Sequence, residues 1–229
     1  MFDLTGKNAL VTGASGGLGG EIARTLHTLG ATVVISGTRM DPLEKLASEL
    51  GERVHIITAN LMDNDSVDAL YANAEQKTGG IDILINNAGI TKDGLAMRMK
   101  DADWDAVIQV NLSSAFRLSR AAAKAMMRRR YGRIINISSV VGTQGNPGQM
   151  NYCASKAGMV GMSKALAHEV ATRGITVNNI APGFIVSDMS HALNEKQTES
   201  ILGQIPQGKM GTATDIANGV AYLASDMAG

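Results

Sequence analysis

Tyr152 and Lys156 stand four residues apart in Asn151–Thr172, a stretch whose pattern predicts a helix, so their side chains share one face. A lysine ammonium beside a phenol favours the phenolate and lowers a tyrosine pKa that starts at about 10. The pair would then serve as proton donor and acceptor near neutrality. Ser139 lies 13 residues before the tyrosine, just past a predicted strand, where its hydroxyl can hold a substrate oxygen. Taken singly, each residue also has a plain reading: a surface Tyr/Lys pair and a serine in a turn.

A second constellation lies near the start. Thr12-Gly13-Ala14-Ser15-Gly16-Gly17-Leu18-Gly19 joins the apolar run Asn8–Val11 to a helical pattern through Ile22, Ala23, Leu26 and Leu29. Glycines at such a turn let backbone N–H groups approach a diphosphate, which the positive end of the following helix stabilises. The spacing is Gly-x-x-x-Gly-x-Gly, and no Gly-Lys-Ser/Thr follows, which excludes a P-loop for nucleoside triphosphates. A dinucleotide is the first ligand to consider, beside a purely structural glycine turn.

The elements that must position these residues alternate. Strands are predicted over Ala31–Ser36, Arg53–Ala59, Ile81–Asn86, Arg133–Ser138 and Ile175–Ile180, with helices over Asp63–Thr78, Asp101–Arg129, Asn151–Thr172 and Asp215–Ser225. Such alternation implies right-handed crossovers and a parallel sheet. Ligands then sit past the carboxyl ends of the strands, which draws attention to Asn60, Asn87 and Ser139. Asp41-Pro42-Leu43-Glu44 reads as a helix start, with Asp41 as N-cap and Pro42 in the first position. Asn111 falls inside the long helix, where asparagine is locally unfavourable; a kink or buried polar site and an exposed, neutral asparagine both fit. The loop Gly142–Gln149 leads to the Tyr152 helix, and polar residues 188–210 read as a mobile lid or an ordinary surface excursion.

Composition sets the limits. The chain of 229 residues reads as one α/β domain. Lys plus Arg and Asp plus Glu both number 21, giving zero net charge, which points to no nucleic acid and no anionic membrane. The lone Cys153 fits a reducing compartment and reads as a buried filler. Without a signal pattern or an apolar run of about 18 residues, the protein is expected to be cytoplasmic. Aromatics are only 3%, with 26 glycines and 13 methionines, so the core is built from aliphatic residues and methionine, as suits helices packed on a parallel sheet. Met97, Met99, Met150, Met189 and Met210 are placed to line an acyl pocket or to fill the core. No residue is assigned to a metal.

Taken together, Thr12–Gly19, Asn86-Asn87-Ala88-Gly89, Asn111, Ser139, Tyr152-Cys153-Ala154-Ser155-Lys156 and Pro182-Gly183 resemble the short-chain dehydrogenase/reductase family over nearly the whole chain. Stretches such as Asn87–Thr91, Met97–Lys100, Asn111–Ser114, Val140–Gly142, Arg173–Asn178 and Ala181–Ile185 are similar to the bacterial 3-oxoacyl-[acyl-carrier-protein] reductases. The resemblance implies a Rossmann-type, doubly wound parallel sheet in a single domain. It implies NADPH as hydride donor and a 3-oxoacyl thioester as acceptor. Tyr152 would donate the proton, Ser139 polarise the carbonyl, Lys156 hold the nicotinamide ribose, and Asn111 steady a proton-relaying water.

Coenzyme contacts are expected at Gly13, Ala14, Ser15, Gly16, Gly17, Leu18, Gly19, Thr38, Arg39, Asn60, Leu61, Asn87, Ala88, Gly89, Tyr152, Lys156 and Ile185. Many NADP-dependent relatives carry arginine in the glycine turn, where this chain has Gly16; Arg39, with Thr38 beside it, takes the 2′-phosphate role instead. Arginines matching Arg130 and Arg173 would dock the acyl carrier protein, although basic residues at helix C-termini also favour the macrodipole. The resemblance further implies a homotetramer, and a final edge strand and tail beyond the position of Gly229. Acetoacetyl-CoA reduction, oxidation of a sterol, sugar or other alcohol, and a non-catalytic dinucleotide sensor are the competing readings.

Overall fold

The computed structural model describes residues 2–186, 199 and 201–229. Strands β1 (Asn8–Thr12), β2 (Thr32–Gly37), β3 (Val54–Thr58), β4 (Ile83–Asn86), β5 (Gly132–Ile137) and β6 (Ile175–Ile180) form one sheet in the order β3-β2-β1-β4-β5-β6. Every pairing is parallel. The order reverses between β1 and β4, and the crevice outside the carboxyl ends of such a pair is where doubly wound sheets bind ligands.

Successive residues of each strand feed opposite layers, as the twofold period of a strand requires. Val11, Val33, Ile35, Ile83, Ile85 and Ile135 pack with Ile22 and Leu26 of α1 (Gly17–Thr28), Leu43 of α2 (Met40–Leu50) and Val220 of the last helix. Leu10, Val34, Leu84 and Ile134 face the other way. They meet Leu70 of α3 (Asn64–Thr78), Leu118 of α5 (Ser114–Arg129) and Val170 of α7 (Met150–Val170). Both faces are covered, which is why these strands are predominantly apolar.

Several local expectations change. Asp41 is not the cap of α2: Arg39 holds the N-cap position and Asp41 lies inside the first turn. The first four helical N–H groups have no intrahelical partner, so Pro42 is tolerated at the third helical position, two residues later than expected. The segment Asp101–Arg129 is not one regular helix. It is α4 (Asp101–Ile108), a π-helical turn (Gln109–Ser113) and α5, with Asn111 in the π turn. The loop after β5 opens with the short α6 (Val141–Gln144). The last helix, α8 (Ala213–Ala224), starts two residues earlier than expected because Thr212 and Asp215 form a capping box. Of the expected lid, residues 188–198 and 200 lie outside the described residues, Met189 among them. At its base Gly211 N–H donates to Phe184 O at 3.0 Å, and Val186 N–H to Gly211 O at 2.8 Å. No helix among the described residues is long and apolar enough to cross a membrane.

Candidate active site

Two adjoining clefts open past the carboxyl ends of the strands. The first, about 550 Å³, is lined by Gly13, Ser15, Gly16, Gly17, Leu18, Gly19, Thr38, Asn60, Leu61, Asn87, Ala88 and Gly89, all expected coenzyme contacts. The second, about 840 Å³, holds Ser139, Tyr152, Lys156 and Ile185, and shares Gly17, Leu18, Asn87, Gly89 and Ile90 with the first. Ala14 and Arg39 are not among the lining residues. Ala14 is buried and its N–H donates to Ser36 O at 2.9 Å, whereas Arg39 is exposed at the rim beside Thr38.

The glycine turn is locked to β4 from below. Thr12 Oγ1 donates to Ile85 O at 3.1 Å and accepts from the N–H groups of Asn87 and Ala88, each at 3.1 Å. Asn87 Nδ2 donates to Thr12 O at 2.9 Å, so this side chain braces the turn. Gly13 has φ 67°, and a Cβ there would meet Ala88 Cα at 2.9 Å; only glycine allows both. Gly17, by contrast, has open space where a Cβ would project. That bare backbone at the start of α1 has the room and the N–H groups that a diphosphate would need.

Tyr152 and Lys156 share a face of α7, as their spacing predicts, but the lysine does not lie against the phenol oxygen. Lys156 Nζ sits 5.5 Å from the Tyr152 ring centre and donates to Ile137 O at 2.7 Å. Two expectations are corrected by this. Burial raises the Tyr152 pKa above its ordinary value, opposed by a hydrogen bond with Ser139. Burial lowers the Lys156 pKa to about 8, because little water reaches the ammonium to solvate it. The phenol is therefore protonated at neutral pH, as a proton donor must be.

Ser139 follows β5, where Val141 N–H approaches its Oγ at 3.4 Å. Asn111 is fully buried; its Oδ1 accepts from Ile90 N–H at 2.8 Å and its Nδ2 donates to Ile90 O at 3.0 Å and Ser155 Oγ at 3.2 Å. A π turn places such a side chain where regular helix would not, and π turns are frequent at functional sites. A Cβ on Gly89 would stand 3.3 Å from Asn111 Oδ1 and 3.6 Å from Lys156 Nζ, so glycine keeps the way between those two groups open.

Other expected residues stand apart. Met97 and Met150 are exposed, and neither lines the cleft. Cys153 is half-buried and free. In the run Arg128-Arg129-Arg130-Tyr131-Gly132-Arg133, Arg129 is tied to Glu75 and Ile81 O, and buried Arg133 to Ser225 O. Arg130 caps α5 in the left-handed conformation and reaches Thr172 O at 3.5 Å, close to exposed Arg173. Both lie before the amino ends of β5 and β6, about 20 Å along the strands from Ser139. Phe116 and Met127 are exposed on the face of α5 and α7.

Sequence reasoning missed two features. Glu21 and Thr214 sit at the mouth of the second cleft, joined by a 2.9 Å hydrogen bond. Behind the site, Asn136 interrupts apolar β5 beside Asn86 of the Asn86–Gly89 motif, and a buried asparagine in such a strand was the signal available.

The fold, the glycine turn at the β1/β4 reversal and the Ser139–Tyr152–Lys156 cluster define a dinucleotide-dependent oxidoreductase. A family model described as short chain dehydrogenase matches residues 7–198, and the chain belongs to that family; its cofactor is a nicotinamide dinucleotide. Nodulation protein G of Rhizobium sp. (strain N33) is 62% identical over 228 residues, covering 100% of this chain and 93% of the relative. The 3-oxoacyl-[acyl-carrier-protein] reductase FabG of Rickettsia felis is 57% identical over 228 residues, with the same coverage. That of Haemophilus influenzae is 51% identical over 226 residues, covering 99% and 93%.

Proposed function

We propose that the protein is an NADPH-dependent 3-oxoacyl-[acyl-carrier-protein] reductase. The observation that carries the reading is a cleft in which Ser139, Tyr152 and Lys156 converge, continuous with a glycine-walled dinucleotide cleft. The acyl substrate is taken from relatives that bear that name. Relatives named nodulation protein G share the chain's full length, so the carrier and the pathway rest on experiment.

A nicotinamide coenzyme held by the glycine turn and by Asn60, Asn87 and Lys156 would supply the hydride for the 3-keto carbon. The hydroxyls of Ser139 and Tyr152 hold the carbonyl oxygen, and the Tyr152 phenol gives its proton to that oxygen as it becomes an alkoxide. Lys156, held by Ile137 O, does not touch the phenol and resupplies its proton through an intervening water; an ammonium with a pKa near 8 parts with one readily at neutral pH. Asn111 faces Lys156 across Gly89 and keeps the inner end of this path fixed.

Coenzyme choice is assigned to Arg39, exposed at the rim next to Thr38. A charge-assisted hydrogen bond of roughly 1.5–3 kcal/mol corresponds to about 10- to 100-fold preference. Arg39→Ala is expected to lose that much of the NADPH over NADH ratio of kcat/KM; an unchanged ratio would refute the assignment. Carrier docking is assigned to Arg130 and Arg173. Arg130→Glu is expected to lower kcat/KM several-fold with the carrier-linked substrate and to leave a free CoA thioester unaffected. Equal effects on both substrates would remove docking from this surface.

A further inference from the structure

We propose that the chain Ser119–Asn86–Asn136–Ser163–Asn179, buried up to half-buried Asn179, sets the register of α7 on the sheet, with Asn136 and Ser163 as positioning residues for Tyr152 and Lys156. The proposal deepens the reductase reading and rests on it.

Asn86, Asn136 and Asn179 are register partners on three neighbouring strands, β4, β5 and β6. Their side chains therefore share one face of the sheet. Asn86 Nδ2 donates to Ser119 Oγ at 3.0 Å and to Asn136 Oδ1 at 2.7 Å, and Asn136 Nδ2 donates to Ser163 Oγ at 2.8 Å. The Ser163 hydroxyl lies 2.6 Å from Met159 O and 2.9 Å from Asn179 Oδ1, two acceptors that share its proton. Ser163 follows Lys156 by 7 residues and Tyr152 by 11. At about 100° per residue those spacings return to one helix face.

One residue further along β5, Ile137 O holds Lys156 Nζ; next, Ser138 Oγ donates to Lys156 O at 3.0 Å. The helix is thus fastened to the end of β5 at two levels, Lys156 and Ser163. Two attachments about two turns apart fix both axial position and tilt, whereas one would leave a pivot. A slip of one residue would move Tyr152 by about 1.5 Å and swing it by about 100°, taking the phenol away from Ser139.

Apolar packing defines such register less sharply, because aliphatic contacts are not directional. It would supply stability more cheaply. The network leaves Asn86 Oδ1 buried with no partner among the described residues, and an unpaired buried acceptor is costly. Polar groups that stabilise poorly but act at fixed geometry serve specificity of position.

The test uses Ser163→Ala in the full chain, with Asn179→Ala as a milder variant at the sheet edge and Ser225→Ala as a control for lost stability away from the site. Ser163→Ala is expected to lower kcat on the order of 10- to 100-fold, the scale of an ångström's misplacement, with coenzyme Kd close to wild type. Asn179→Ala is expected to move kcat in the same direction by less, and Ser225→Ala to leave it unchanged. A second readout needs no substrate: ultraviolet titration of Tyr152, with Tyr152→Phe as the blank, is expected to show its ionisation displaced upward in Ser163→Ala as the Ser139 contact is lost. The proposal is overturned if either network variant folds with wild-type kcat and Tyr152 titration, or if the loss only matches that of Ser225→Ala. Failure of the wild type to reduce a 3-oxoacyl thioester would defeat the reductase reading instead, and the titration alone would then decide this one.

Discussion

Tyr152→Phe is expected to lower kcat on the order of 10²-fold or more while coenzyme Kd stays within about threefold. The substitution removes one oxygen from a ring already held by its helix, so it deletes the proton donor and little else. Burial keeps that phenol protonated until a strong base forms beside it, and Ser139 favours its ionisation only in part. Turnover should therefore be lost at the chemical step, which single-turnover kinetics read directly. Near-normal turnover would show that the proton comes from elsewhere.

Lys156→Met is expected to be more stable than wild type at pH 7 and at least as inactive as Tyr152→Phe. The two effects have one cause. Burial lowers the lysine pKa from 10.5 to about 8 in the folded protein. Below about pH 8 both folded and unfolded chains hold the proton, and folding carries the full cost of burying the charge. Between about 8 and 10.5 only the unfolded chain is protonated, so wild-type stability rises with pH through that window. The total change is about 3 kcal/mol. Urea denaturation from pH 7 to 10 should show this rise in the wild type and not in Lys156→Met. Parallel profiles would mean that the ammonium is solvated in the native state.

Much of this was legible in the sequence because the strands are covered on both faces and so appear as predominantly apolar runs. The glycine turn was legible because backbone approach to a phosphate restricts residue type at fixed spacing. The shared face of Tyr152 and Lys156 was legible from the four-residue interval, given the helical pattern of the stretch that carries them. What the interval could not give was the direction of the ammonium, since Ile137 O, an acceptor on another element, decides it. The same limit explains Arg129 and Arg133, which spacing groups with Arg130 but which tertiary partners draw inward. Asp41 was misread because capping chemistry and first-turn chemistry favour the same residues. Asn111 stayed open until the π turn and the Ile90 backbone showed where its amide points.

The central claim is that this dinucleotide oxidoreductase reduces a 3-oxoacyl thioester with NADPH. Steady-state kinetics with acetoacetyl thioester, linked in turn to acyl carrier protein and to CoA, with NADPH and NADH compared on each, test it most directly. The account predicts turnover with the carrier-linked substrate, a kcat/KM about 10-fold or more higher with NADPH than with NADH, and a lower kcat/KM for the CoA ester. No oxidation of either coenzyme by any 3-oxoacyl thioester, with coenzyme binding intact, would contradict it.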